Sequence, residues 1–357
     1  MSEQAAAPPI ARAAFLAHPL ARPAGALLLL FLLDLVAVPG FFHLRVQDGH
    51  LYGSVVDILN RAAPLMLTAL GMTLVIAARG IDISVGAVVA LSGTVAAMLI
   101  GGAMSLHNGV PEYISRIPMG WAIAAALGAA IACGAWNGLL VAGLGLQPIV
   151  ATLILMVAGR GLAQLLTDGQ IVTVYYPPFF TIGGGYLFGL PVALYMVAAV
   201  FIVLAILMRH TALGLFLQVV GSNPVAARLV GMRAGLLMFF TYVFCSASAG
   251  TAGLIVASNV RSADANNAGL LLELDAILAV ALGGTSLSGG KFSLAGSLLG
   301  ALIIQTLTYT IYSLGVPPEV NMVLKALVVF AVCLSQSREF KQLRQAALRR
   351  FSVREEP

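Results

Sequence analysis

Charged side chains are scarce in this chain. Lys, Arg, Asp and Glu make up 9% of its 357 residues, whereas an average soluble domain carries about 25%. Hydrophobic residues reach 60%, and a chain this apolar could not remove its non-polar surface from water by folding alone. The composition therefore excludes an ordinary soluble domain and indicates that lipid is the solvent. It also argues against a nucleic-acid partner, because the basic residues lie at the ends of apolar runs and form no basic face.

Cysteine and histidine are also few. The three cysteines, Cys133, Cys245 and Cys333, lie inside apolar runs, and their spacing suits neither a disulfide framework nor a metal site. The five histidines lie in tails or loops without metal-ligand spacing, and no nucleophile–base pattern accompanies them. We therefore expect no catalytic residue, no metal and no cofactor in this subunit.

The glycine-rich stretch around Lys291 does not have the pattern of a phosphate-binding loop. That motif requires a glycine where this chain has Thr285, and a serine or threonine where it has Phe292. We interpret the stretch as a turn between two apolar segments.

Long apolar segments dominate what is present. Several approach the roughly 20 residues that a helix needs to cross about 30 Å of hydrocarbon. They are 25–42, 60–78, 83–102, 119–143, 147–167, 190–208, 234–257, 270–284, 292–313 and 321–336. This pattern predicts an all-α integral membrane protein with about ten transmembrane helices. Residues 55–59 predict a separate interfacial helix, and glycines four apart (Gly134 with Gly138, Gly296 with Gly300) predict close helix contacts.

Basic residues set the expected orientation. If the N-terminus is cytoplasmic, the cytoplasmic segments hold Arg12, Arg22, Arg79, Arg209, Arg228, Arg233, Lys291 and the basic residues of the C-terminal tail. The opposite segments hold Arg45, Arg61, Arg116 and Arg261. This asymmetry follows the positive-inside rule and, with an even number of spans, places both termini in the cytoplasm. We predict a cytoplasmic tail over 1–24, a membrane domain over 25–336 and a second cytoplasmic tail over 337–357.

The longest cytoplasmic connection, 209–233, has the sequence of a short helix at its centre. Asn223 suits the N-cap position and Pro224 the first helical turn. Ala226, Ala227, Arg228 and Leu229 continue the helix. We interpret these residues as a coupling helix that docks on an ATPase. The alternative is an ordinary basic loop that satisfies the positive-inside rule.

Polar residues near or within the apolar segments are candidates for a substrate pathway, because polar groups in lipid are costly. One group follows the seventh segment, and its amides and carboxylates are suited to sugar hydroxyls: Asp264, Asn266, Asn267, Glu273 and Asp275. A solvated loop followed by helix-start carboxylates is the alternative. A second group lies deeper: Thr73, Asp82, Ser84, Asn137, Arg160 and Gln164. For Asn137, Arg160 and Gln164 the alternative is a hydrogen bond between helices. For Asp82 and Ser84 it is a helix N-cap.

Several motifs resemble those of a transporter family. Residues 80–86 (GIDISVG), the helix 223–229 and the turn 283–290 (GGTSLSGG) together resemble the ribose/xylose-type permeases of bacterial ABC sugar importers. Residues 58–64, 147–161 and 263–270 look like the galactofuranose permease subgroup of that family. The resemblance covers nearly the whole chain.

The resemblance implies a subunit with ten helices, a type II ABC importer-like architecture and both ends in the cytoplasm of a bacterial inner membrane. It also implies three protein partners: an ATPase with two nucleotide-binding domains that holds ATP and Mg²⁺, a second and different permease, and a periplasmic sugar-binding protein. The assignment of a sugar as the substrate rests on this resemblance, since architecture alone cannot identify a substrate.

The leading hypothesis is therefore a permease subunit of an ATP-driven importer for a furanose sugar such as galactofuranose or arabinofuranose. Ribose, xylose or another small polar solute is the alternative substrate. A secondary transporter driven by an ion gradient would need paired carboxylates or a carboxylate–histidine relay within the membrane, and Asp34 is the only plainly deep acid. A membrane enzyme would need the catalytic pattern that the sequence lacks.

Overall fold

A computed structural model of the chain describes residues 20–47, 49–107 and 110–317, with positions 320, 322–324, 326, 327 and 330. Each of the first nine predicted segments contains a helix within these residues. The helices are α1 (Ala21–Ala37), α2 (Ser54–Ala77), α3 (Val85–Ile100), α4 (Met119–Gly138), α5 (Pro148–Leu166), α6 (Thr181–Gly184), α7 (Val192–His210), α8 (Leu213–Ser222), α9 (Pro224–Leu229), α10 (Ala234–Val260), α11 (Leu272–Leu282) and α12 (Leu294–Ser313). The predicted tails 1–24 and 337–357, the tenth span 321–336 and Cys333 lie largely or wholly outside the described residues.

Six described helices are long and apolar enough to cross a membrane: α2, α4 with the π-helical turn Leu139–Gly143 that extends it, α5, α7, α10 and α12. Helix α3 has 16 residues and α11 has 11. Eleven residues rise only about 16 Å, so the predicted span 270–284 contains a helix that is too short to cross by itself.

The described residues are mostly helical, in agreement with the predicted fold class. They also contain four short antiparallel strand pairs, which were not predicted and lie in the connections between helices. They are Arg45–Gln47 with His50–Tyr52 (β1, β2), Ala103–His107 with Val110–Ile114 (β3, β4), Val172–Thr173 with Ser262–Ala263 (β5, β8) and Tyr186–Leu187 with Leu190–Pro191 (β6, β7). All four fall in connections predicted to lie outside the membrane on one side. Their backbone groups need hydrogen-bond partners there, and strand pairing supplies them.

Helix α2 forms the centre of the bundle. Of its most apolar stretch, 83% is buried inside the protein, against 28% for α4, 28% for α5 and 17% for α7. Helices α10, α11 and α12 pack around α2, which leaves the outer faces of α4, α5 and α7 for lipid or another subunit. The predicted interfacial helix at 55–59 was wrong as a separate element. Those residues are the first turns of α2, because Val56 and Ile58 are buried and continue its inner face.

The glycine pairs mark close helix contacts, as predicted. A Cβ at Gly134 would lie 2.7 Å from the Val243 Cα in α10, and one at Gly138 would lie 2.7 Å from the Phe239 ring. A Cβ at Gly300 in α12 would overlap the Ala279 carbonyl oxygen in α11. Only glycine allows these backbones to approach so closely.

Candidate functional site

Two polar breaks in the helical structure meet inside the bundle. The first, residues 78–84, precedes α3, and the second, residues 264–271, precedes α11. The first turn of α3, directly after the first break, contacts the second: a Cβ at Gly86 would overlap the carbonyl oxygen of Gly269 and the Oε2 atom of Glu273 in α11. Irregular backbone at membrane depth is tolerated where protein surrounds it or where it lines a cavity. Discontinuous helices of this kind form the substrate sites of many transporters.

A fully buried network closes the first break. Asp82 Oδ1 accepts hydrogen bonds from the Ser84 backbone N–H at 2.9 Å and from Ser84 Oγ at 2.6 Å. The side-chain amide of Asn137, in α4, donates to Ser84 Oγ at 2.9 Å and lies 3.4 Å from Asp82 Oδ1. In α5, Thr152 Oγ1 accepts from the Ile83 backbone N–H at 3.3 Å. The three residues predicted for the pathway, Asp82, Ser84 and Asn137, are each 0% exposed. In this conformation they therefore hold helices together and do not line an open path.

Replacing Asp82 with alanine should destabilise the protein by at least about 2 kcal/mol, since it leaves several buried donors without their acceptor. Asp82→Asn keeps an oxygen at the Oδ1 position and should cost no more than about 1 kcal/mol. The thermal unfolding of the two variants, followed in detergent by size-exclusion chromatography after heating, measures the difference. Equal melting temperatures would show that the network does not hold this break.

The second break is fixed by Arg160, which extends from α5. Its Nη1 donates to the carbonyl oxygens of Ala265 and Asn266 at 3.1 Å each and of Ala268 at 2.8 Å. One turn further along α5, the Gln164 side-chain amide donates to Asn266 Oδ1 at 2.7 Å. A guanidinium group is suited to binding several oxygens at once. Arg160 and Gln164 therefore position this break.

Asp264 orders the start of the same break. Its Oδ1 accepts from the backbone N–H groups of Asn266 at 2.9 Å and Asn267 at 3.1 Å, and its Oδ2 accepts from the Asn267 side-chain amide at 2.7 Å. The bond from that amide, helped by the two backbone bonds and the Arg160 charge, lowers the pKa of Asp264. The stabilisation by this carboxylate is therefore complete above its unfolded pKa of about 3.9, and it is lost only as the pH falls through the lower folded pKa.

The remaining pathway candidates have different positions. Thr73 is fully buried, and its Oγ1 lies 2.6 Å from the Ala69 carbonyl oxygen and 2.7 Å from Ser297 Oγ in α12. This places Thr73 in a contact between α2 and α12, apart from the two breaks. Glu273 is 9% exposed, whereas Asn266 and Asn267 are open to the surface. Asp275 is partly buried, one turn beyond the start of α11.

Sequence reasoning did not select Thr152 or Ser297. Both lie on apolar helices and have small hydroxyl side chains, which commonly bond to their own helix backbone. The motif 147–161 contains Thr152, but no feature of that motif separates it from its neighbours. Their partners, Ile83 and Thr73, are distant in the sequence, so only the fold brings them together.

The helix predicted at 223–229 is present as α9, with the predicted cap, while its coupling role stays a prediction. Asn223 Oδ1 accepts from the backbone N–H groups of Val225 at 3.1 Å and Ala226 at 3.0 Å, and Pro224 occupies the first turn. Ala227 is fully buried against Val220 and Ala234, so it anchors the helix and is not available to a partner.

The opposite side of α9 is open and largely apolar. Val225 is 67% exposed and Leu229 is 83% exposed, and Arg228 is exposed beside them. We call these three residues the α9 face. Exposed large apolar side chains outside the membrane-spanning helices favour a protein contact.

The end of α8, just before α9, packs against the core of the bundle. A Cβ at Gly221, at the end of α8, would overlap the Ala77 carbonyl oxygen at the end of α2. The same carbonyl accepts from the Gly290 backbone N–H at 3.0 Å, in the turn before α12. A displacement of α8 and α9 would therefore act on the ends of α2 and α12 directly.

Comparison with known proteins gives consistent results. The family model described as the permease component of branched-chain amino acid transport systems matches residues 54–333. A galactofuranose transporter permease protein of Escherichia coli is 50% identical over 89% of this chain and 89% of its own. A fructose import permease protein of Bifidobacterium longum is 38% identical over 83% and 81%, and a ribose import permease protein of Escherichia coli is 35% identical over 87% and 93%. No solved structure matches significantly.

Proposed function

Because the chain belongs to the family of ABC importer permeases that includes the ribose-type sugar permeases, we propose that it carries a furanose sugar, with galactofuranose as the foremost candidate. The observation that carries this proposal is the 50% identity to a galactofuranose transporter permease protein across 89% of both chains. As a permease, the chain is a transport subunit and not an enzyme. Ribose or xylose is the alternative sugar substrate.

The structure supports a transport role through its two polar breaks. Break 264–271 carries the exposed amides of Asn266 and Asn267, whose oxygens and N–H groups can accept from and donate to sugar hydroxyls. Contacts of this kind are weak, and weak contacts suit a permease that must release its cargo quickly. Arg160 and Gln164 position the break, and Glu273 lies behind it.

The proposed assembly has three further proteins. An ATPase with two nucleotide-binding domains would dock on the α9 face and hold the ATP and Mg²⁺. A second, different permease would complete the pathway, and a periplasmic binding protein would deliver the sugar. In this assembly the chain has ten spans and two cytoplasmic termini, and it lies in a bacterial inner membrane. The distribution of basic residues supports this orientation.

Reconstitution in nanodiscs tests the proposal. The chain is co-expressed with the ATPase, binding protein and second permease from its own operon. ATP hydrolysis is then measured with D-galactose, L-arabinose, D-ribose, D-xylose and D-fructose on the binding protein. We expect at least fivefold stimulation by galactose or arabinose, and weaker stimulation by the other sugars. Stimulation by ribose or xylose alone would replace the furanose proposal with the alternative.

The family description provides a second candidate function, the transport of a branched-chain amino acid. Leucine, isoleucine and valine are therefore included in the same assay. Stimulation by one of them, with none of the sugars active in the intact complex, would overturn the sugar proposal.

A further inference from the structure

A polar depression lies between helices α2, α10 and α12, apart from the two polar breaks and the α9 face. Its volume is about 590 Å³, within the range of roughly 300–1,000 Å³ that is typical of small-molecule sites. Five polar side chains line it: Asp57, Asn60 and Arg61 from the start of α2, Asn259 from the end of α10 and Gln305 from α12. Pro64, Val256 and Val260 provide its apolar part.

The side chains of this depression are suited to an uncharged polyhydroxy molecule. Three of them are amides, and each amide presents both a donor and an acceptor, as a sugar hydroxyl does. Asp57 and Arg61 have opposite charges, so the group favours neither an anion nor a cation. Pro64 and Val256 can contact the apolar face of a sugar ring. A substrate with one charged end and a long apolar side chain would leave most of the amides unused.

One amide of the depression has an oxygen that is free for a ligand. The Asn60 Oδ1 atom is buried and has no hydrogen-bond partner among the described residues, so it is an acceptor available to a hydroxyl group. The Asn259 side chain lies beside α6, where a Cβ at Gly183 would come within 2.8 Å of its Oδ1 atom.

The position of Gln305 argues against a lipid-facing surface. It lies eleven residues into α12, one of the helices long enough to cross the membrane. Amide groups turned toward hydrocarbon would lose their hydrogen bonds to water at a high cost. This side of the bundle therefore faces water or another subunit. In the proposed orientation the depression opens toward the periplasm, because α2 begins and α10 ends on that side.

We propose that this depression is the outer sugar site, where the permease receives the sugar released by its binding protein. The inference rests on the proposed function, and it assigns the first contacts to Asn60, Asn259 and Gln305. The break at 264–271 would then act after this site and not before it.

Transport by the reconstituted importer distinguishes a sugar-binding role of these residues from a purely structural one. Radiolabelled D-galactose taken up and ATP hydrolysed are measured together, with saturated binding protein, for Asn60→Ala and Gln305→Ala. We expect each variant to carry at least fivefold less sugar per ATP hydrolysed, while stimulation of the ATPase by the binding protein stays within twofold of wild type. A residue that only supported the fold would lower uptake and ATP hydrolysis in proportion. The control is Gln170→Ala, which removes an exposed amide from an outer turn and should leave the ratio unchanged.

A second measurement does not depend on transport. Gln305→Cys, in the complete complex in intact cells, should react with a membrane-impermeant maleimide, and saturating galactose with the binding protein should slow the reaction at least threefold. The native thiols Cys133 and Cys245 are buried, so they contribute little background, and the third cysteine, Cys333, is replaced by serine in every variant. Thr73→Cys is the buried control and should not react.

The outcomes separate the two proposals. If wild type carries galactose and both alanine variants match its sugar-to-ATP ratio, the outer sugar site is wrong and the proposed function stands. If Gln305→Cys does not react from outside in an active importer, the inference also fails. If wild type carries leucine and no sugar, the proposed function fails, and the sugar site fails with it.

Discussion

Leu229→Glu is expected to reduce ATP-driven uptake at least tenfold and to abolish co-purification of the ATPase, while the amount of permease in the membrane stays unchanged. Leu229 is 83% exposed on the α9 face, so the substitution removes little packing within the chain itself. In a docked complex the same side chain would be buried, and complete burial of a leucine contributes about 1.5–3 kcal/mol. A carboxylate there would also lose its water without gaining a partner.

Phe188→Glu provides the matched control for that experiment. Phe188 is 91% exposed and lies between β6 and β7, in a connection predicted to face the other side of the membrane. Like Leu229→Glu, this substitution replaces a large exposed apolar side chain with a carboxylate. We expect the ATPase to co-purify normally with this variant. If Leu229→Glu also retained the ATPase, the α9 face would not be the docking surface.

Gly300→Ala is expected to destabilise the permease by about 2–3 kcal/mol and to lower transport strongly. The added methyl group would overlap the Ala279 carbonyl oxygen, which belongs to a backbone that cannot turn aside as a side chain can. Overpacking of a tight contact commonly costs about 1–3 kcal/mol. Here it would also push α11 away from α12, and α11 begins at the second polar break. Thermal unfolding in detergent measures the first effect and uptake in proteoliposomes measures the second.

Gly128→Ala is the control, because a Cβ at Gly128 in α4 would meet nothing within 4 Å. It makes the same chemical change in another apolar helix. Alanine favours the helical conformation over glycine by about 1 kcal/mol, so this variant should be as stable as wild type or slightly more stable. Equal losses in both variants would show that the effect comes from the glycine-to-alanine change itself and not from the α11–α12 contact.

The sequence could predict features that depend on neighbouring residues. Long apolar runs give the helix positions, because lipid requires about 20 such residues for each crossing. The pair Asn223–Pro224 predicts the start of α9, since the cap and the first turn are set by adjacent residues. The spacing of Gly296 and Gly300 predicts a close contact, although not that α11 is the partner.

Features that depend on distant residues could not be predicted in this way. Arg160 bonds to three backbone carbonyls, and every residue has a carbonyl, so no residue type identifies the partners. The contact between Asp82 and Asn137 joins positions 55 apart in the chain. Three of the four strand pairs also left no signal, because strands of two or three residues are too short to show an alternating pattern. The outer sugar site combines three helices, each of which has only one to three of its polar residues.

The strand pair β5–β8 has a mechanical consequence. Val172 pairs with Ala263, immediately before the break that Arg160 holds, and the Val174 backbone N–H donates to the Arg261 carbonyl oxygen at 2.9 Å. One residue further, the Tyr175 backbone N–H donates to the Gly101 carbonyl oxygen at 2.8 Å. Three connections from different parts of the chain thus form one stiff rim. A displacement of any of these three connections would therefore also displace residues 264–271.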